Sequence, residues 1–174
     1  DEGEVDSGKI IMQKKIPILD EDYAWDLYEK ITNCTIEICL EFFKNYELNE
    51  ITLTDQDESK ATYCCKRIPE DGKIDWNKNS DEIYNFIRAL AFPFTGSFCY
   101  IENSCFIIRK AQFGENNNKN FTGSIPGRVI KISKEGIEIL CGKGTILITE
   151  WENKDTKKVS NPSETVKSIS ITLK

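Results

Sequence analysis

The side chains able to do chemistry in this 174-residue chain are carboxylates, thiols and one charged, aromatic run; there is no histidine at all. Without an imidazole, every scheme that needs His as base, acid or nucleophile from within the chain is excluded. Seven cysteines, at 34, 39, 64, 65, 99, 105 and 141, form an odd set with no CxxC spacing and no histidine to complete a zinc site, so no metal is expected and the thiols read as structural. The charged run is Lys66-Arg67-Ile68-Pro69-Glu70-Asp71-Gly72-Lys73-Ile74-Asp75-Trp76. Its arginine could meet a phosphate in bidentate fashion. The bland alternative is that Asp71 and Asp75 only tie down a turn while Trp76 packs in a core.

The elements that must position these residues follow from local pattern. Pro69-Glu70-Asp71-Gly72 is a turn in which proline presets φ and glycine can close with φ above zero. Ser80 can cap a helix over about 81–91, where Ile83, Phe86, Ile87 and Leu90 recur at the spacing of a buried face, and Pro93 ends it. Upstream, Asp20 or Asp22 can cap an amphipathic helix reaching about Tyr46, with Leu27, Ile31, Cys34, Ile38 and Phe42 on one face and charge on the other. Downstream come five short apolar stretches, 97–101, 105–112, 128–132, 137–141 and 145–151, separated by turn-rich pieces. Five such strands fit a small open barrel.

Charge divides the chain unevenly: residues 1–60 carry a net −10 and residues 61–174 a net +4, which together give the −6 of the whole. No apolar run spans a bilayer, and the acidic start Asp1-Glu2-Gly3-Glu4 is unlike a basic secretory signal, so no membrane partner and a soluble cytoplasmic protein are expected. The lack of an initiator methionine, and an acidic start with no element before it, suggest a piece of a longer polypeptide.

In order and spacing, Ala61-Thr62-Tyr63, the run Arg67–Trp76, Ile87-Arg88-Ala89 and Pro93-Phe94-Thr95-Gly96-Ser97-Phe98 resemble the post-catalytic region of folate-dependent formyltransferases. That family includes methionyl-tRNA formyltransferase and the N-formyltransferases of nucleotide-linked amino sugars. Residues Asp1–Gly8 are similar to its acidic loop ending in Asp-(Thr/Ser)-Gly, with one extra residue before Val5, and Gly8–Gln13 is similar to the last strand of its catalytic domain.

The resemblance implies an α/β remnant, the last strand and helix of a Rossmann-like domain, over 1–53. A linker at 54–60 and a β-rich, OB-like open barrel with one helix over 61–174 would follow. It implies 10-formyltetrahydrofolate as formyl donor, Asp6 as the catalytic carboxylate, Asp1, Glu2 and Gly8 at the folate, and Arg67 and Asp71 at the acceptor. Asn and His partners would lie in the missing part, leaving the 174-residue chain inactive alone, or a non-catalytic docking module. The expected acceptor is a nucleotide-linked 4-amino sugar, from the Pro-Glu-Asp-Gly turn and Pro93-x-x-Gly96-x-Phe98; the alternative is initiator tRNA, gripped by Lys131, Lys134, Lys143, Lys154, Lys157 and Lys158. A homodimer is possible.

Overall fold

In the computed structural model, residues 6–174 are described; they form two compact units, residues up to 22 with 26–67, and 23–25 with 68–174. Asp1 and Glu2 lie outside the described residues.

The first unit is dominated by α1, Ala24–Glu47, whose carboxylate in the first turn (Asp26) and lysine in the last (Lys44) suit the helix dipole. None of its residues is fully buried. At 100° per residue the helix is three-sided rather than two-sided. Leu27, Ile31, Cys34, Ile38 and Phe42 form one stripe, the charged residues a second, and Trp25, Tyr28, Ile36, Leu40 and Phe43 a further apolar one. The expected purely charged opposite face is therefore corrected. Leu40 is 67% and Phe43 62% exposed.

The expected strand Gly8–Gln13 is also absent. Only Ile10 pairs, with Thr54, through Ile10 N–H to Thr54 O at 2.8 Å and Thr54 N–H to Ile10 O at 2.9 Å. Within 54–60, Glu58–Lys60 winds into a short 3-10 turn capped by Asp57. The Lys60 ammonium, with the Ser59 donors behind it, holds the Asp57 carboxyl below the usual carboxylate range.

The second unit carries the core. Six strands, β1 Phe98–Ile101, β2 Ser104–Phe113, β3 Val129–Ile132, β4 Ile137–Leu140, β5 Thr145–Asn153 and β6 Val159–Ser160, form one antiparallel sheet in the order β1-β2-β5-β4-β3, with β6 also on β5. The five expected strands are all present; two-residue β6 is too short to leave a sequence period. The C-terminal residues touch both sheet edges. Val129 N–H bonds Ile171 O (3.0 Å) and Leu173 N–H bonds Gly127 O (2.8 Å), while Tyr100 and Lys174 exchange bonds of 2.7 and 2.9 Å. Edges tied in this way curl a sheet and hide its unpaired backbone groups.

Helix α2, Ser80–Ala89, lays Ile83 and Ile87 on the core formed by Ile108, Ile137, Ile139, Ile146, Ile148 and Trp151. Trp151 stacks on Phe106, centroids 4.1 Å apart. Asn79, not Ser80, is the N-cap; Glu82 accepts from the Asn79 N–H at 3.2 Å, and buried Ser80 donates its N–H to Lys143 O. Pro69–Gly72 is a 3-10 turn whose glycine does not adopt positive φ. Glycine is needed there for space: an added Cβ would sit 2.9 Å from the Gly96 carbonyl oxygen. The left-handed conformation is taken instead by Gly96, φ 88°, where a Cβ would strike Ile107.

Burial also sets the thiols. Desolvation pushes the Cys141 thiol up to about 12 and the Cys99 thiol higher still, so both stay protonated. Among the described residues no three of His, Cys, Asp and Glu could hold a metal together, and no helix is long and apolar enough to cross a membrane.

Candidate functional site

In the first unit the loop from Asp6 to Gln13 is held without a regular strand. The Gln56 amide donates to the Asp6 carbonyl at 2.6 Å and the Gly8 carbonyl at 2.7 Å, and Lys9 pairs with Asp55 at 2.9 Å. Asp6 itself has φ 62°, a left-handed conformation that aspartate tolerates better than most residues. Beyond the loop, Lys14 reaches Glu41 (3.2 Å) and Glu37 (3.5 Å) on α1, and the two carboxylates raise its pKa. These links frame an open cleft of about 850 Å³. Ile10, Met12, Ile38, Phe42 and Phe43 line its apolar part, and Asp6, Gln13 and Gln56 are polar groups on its wall. Such a cleft offers an aromatic ligand an apolar floor with one carboxylate beside it. An added Cβ at Gly8 would meet nothing within 4 Å, so there the backbone is open to approach.

The sequence-derived residues fall in both units. Asp6 and Gly8 lie at the first unit's cleft, Arg67 is an exposed residue at the end of that unit, and Asp71 belongs to the second. Asp71 accepts the Ile68 N–H at 3.0 Å and so ties its own turn; Asp75 accepts from Asn77 N–H (3.1 Å) and Nδ2 (2.9 Å), bonds that lower its pKa. Trp76 is core. Arg88 donates to Asn85 Oδ1 and lies over Tyr84.

Of the six lysines considered for tRNA, Lys131 is engaged by Glu115, which raises the lysine's pKa and lowers the glutamate's, and Lys158 faces Glu164 at 3.7 Å. Lys154 lies over the Phe98 ring. Sequence reading missed Gln56, which looked like one polar residue in an acidic linker; its role depends on carbonyls 48 and 50 positions away.

A six-stranded antiparallel sheet with one helix on its core makes the second unit a small β-rich domain. The comparisons give its family: residues 66–169 match the model described as formyl transferase, C-terminal domain, and the chain belongs to that family. Methionyl-tRNA formyltransferase of Mycoplasma mycoides subsp. mycoides SC is 30% identical over 156 residues, covering 90% of this chain and 49% of the relative. That of Mycoplasma capricolum subsp. capricolum is 30% identical over 158 residues, with the same coverage. The chain thus spans about half the length of the curated relatives it matches. HypX from Aquifex aeolicus, crystallised with tetrahydrofolic acid, shares the fold with a TM-score of 0.68 at 17% identity, covering 97% of this chain and 29% of HypX.

Proposed function

We propose that this chain is the C-terminal part of an enzyme that moves a formyl group from 10-formyltetrahydrofolate to the amine of methionyl-tRNA. The observation carrying this reading is the match of 90% of the chain to two methionyl-tRNA formyltransferases. It moves the acceptor from the nucleotide-linked amino sugar expected from the Pro69–Gly72 turn to the tRNA alternative. The turn's Asp71 is engaged in capping, so it offers the sugar reading no further support.

In this reading Asp6 carries the chemistry. Formyl transfer to an amine passes through a tetrahedral intermediate with a developing oxyanion, and the attacking nitrogen must lose a proton. A positioned carboxylate can take that proton, directly or through water, or hold a cation beside the oxyanion; such a group is worth about 100- to 10,000-fold. Gly8 and the apolar wall of Ile10, Ile38 and Phe42 would accept the folate's ring system, with Asp1 and Glu2 completing the loop. Arg67 would meet an acceptor phosphate.

The test is the full-length protein containing this chain, assayed with charged initiator tRNA and, separately, a nucleotide-linked 4-amino sugar. Formylation of the tRNA alone is expected, and formylation of the sugar alone would restore the first reading. Asp6→Asn, nearly isosteric, should lower transfer at least about 100-fold with unchanged melting; near-normal turnover would remove Asp6 from the chemistry. The 174-residue chain alone should show no turnover.

A further inference from the structure

We propose that Cys64 and Cys65 form a two-thiol clamp for trivalent arsenic, a binding site independent of formyl transfer. The two residues are adjacent in sequence and both are exposed. The other thiols are placed differently. Cys99, Cys105 and Cys141 are buried, and desolvation pushes their thiols up, so they are covered and protonated. Cys34 and Cys39 both lie on α1, at a spacing that sets them about 140° apart around the helix.

The segment that carries the pair is free to adjust. Residues 62–67 lie outside every helix and strand, and among the described residues they take part in no hydrogen bond or ion pair. Short 3-10 turns at Glu58–Lys60 and Pro69–Gly72 bound the segment along the chain. Tyr63, just before the pair, is 91% exposed, so its ring does not cover the thiols. Backbone rotation within this segment can bring both sulfurs to one side without breaking a contact of the fold.

Ring geometry then selects the ligand. A direct disulfide between neighbours would join Cα atoms about 3.8 Å apart across a trans peptide, short of the about 4.4–6.8 Å that disulfides usually span, and would be strained. An atom set between the sulfurs relieves that strain, because the sulfurs no longer have to touch. Zinc is a poor occupant: it takes four ligands, and among the described residues no three of His, Cys, Asp and Glu gather to hold a metal. A soft two-coordinate ion such as Cu(I) wants its sulfurs in line on opposite sides, which so small a ring resists. Trivalent arsenic is pyramidal and takes its thiols at bent angles, and two suffice when its third bond is to carbon or oxygen. With an organoarsenous acid, two As–S bonds form and two As–O bonds break. The thiol protons leave with the hydroxyls as water, and arsenic stays trivalent, so no oxidant or reductant is needed.

Titration of the reduced, folded chain with phenylarsine oxide, read by intact mass, tests the clamp. One phenylarsenic group should bind per chain and be removed by a small dithiol. It should also suppress tryptic cleavage after Lys66, because the bridged residues can no longer enter the protease in extended form. Cys64→Ser and Cys65→Ser, each at an exposed position, should melt as the parent does and lose affinity about 100-fold or more, since the second As–S bond is then no longer intramolecular. Cys34→Ser with Cys39→Ser should leave capture unchanged, and equimolar zinc should not protect the pair. A single-serine variant of normal melting that keeps its affinity, unaltered cleavage after Lys66 in the loaded chain, or protection by zinc would overturn the clamp.

Discussion

Helix α1 is 24 residues long and buries none of them, whereas α2, with 10, buries Ser80, Ile83 and Ile87. Both are amphipathic by sequence. The difference lies in what stands opposite: α2 faces a sheet whose inner side chains already pack, while within its own unit α1 faces an irregular segment, residues 6–15, with one bridged residue pair. An apolar stripe records a capacity for burial, and an opposing surface is needed to realise it. Among the described residues, all the fully buried hydrophobic ones fall in the second unit, and the loop carrying the candidate carboxylate falls in the first. The buried core and the candidate carboxylate therefore sit on different stretches of the chain.

The sharpest way to break that comparison is paired truncation. Trp151→Ala removes a fully buried indole stacked on Phe106 and should cost about 3–5 kcal/mol, a large part of a domain's stability, measured by denaturant unfolding. Leu40→Ala, on an exposed helix position, should stay within about 0.5 kcal/mol. Equal losses would show that α1 belongs to the same cooperative core.

A second, smaller effect concerns a buried carboxylate. Glu138 is 1% exposed and accepts from Asn116 N–H (2.8 Å), Asn116 Nδ2 (2.8 Å) and Thr145 Oγ1 (2.7 Å), fastening the Gly114–Asn117 turn to β4. Glu138→Gln turns one acceptor into a donor facing donors and should cost about 1–3 kcal/mol in the same unfolding experiment. Unchanged stability would mean the turn is held by its backbone alone.

Alkali should also act on the second unit. The Cys141 thiol, raised by burial from 9.0 to about 12, and the Cys99 thiol, raised further, remain protonated in the folded state after unfolded thiols have ionised. Between pH 9 and about 12 the unfolded chain binds fewer protons, so stability falls as pH rises, by about 1 kcal/mol per thiol at pH 10. Below about pH 8 the thiols contribute almost no slope. Cys99→Ala with Cys141→Ala should flatten the alkaline limb of a stability–pH curve; a limb unchanged in that variant would place the loss elsewhere.

How far the sequence reveals this follows from range. The five strands and α2 are legible because their periods are local and their opposing partners lie within the second unit. The reading of Gly8–Gln13 as a strand fails for the opposite reason: a strand is defined by a neighbour, and only Thr54 pairs with it. The Gly72 turn was legible in its position but not in its cause, since the constraint comes from the Gly96 carbonyl 24 positions on. At the candidate site, Asp6 was visible through its Asp-Ser-Gly setting. Gln56 was not, because a side chain bonding distant carbonyls leaves no spacing to read.

The smallest predicted effect bears on where the two regions divide. Tyr23, just before α1, accepts the Ala111 N–H at 3.3 Å and donates to the Ala111 carbonyl at 3.2 Å. Ala111 directly follows an irregularity in the β2–β5 pairing around Lys110. The phenol thus meets strand backbone where the ladder slips, and Trp25 adds a ring contact with Phe92, centroids 5.0 Å apart. These contacts explain why residues 23–25 cluster with the second unit although the rest of α1 belongs to the first. Tyr23→Phe keeps the ring and removes both bonds to the buried Ala111 backbone, and should cost about 1 kcal/mol. Hydrogen exchange localises the effect: the Ala111 amide should lose protection while the middle of α1, around Ile36, keeps its rate. Equal acceleration at both would mean that one cooperative unit runs through the helix, and the division would then have to be drawn elsewhere.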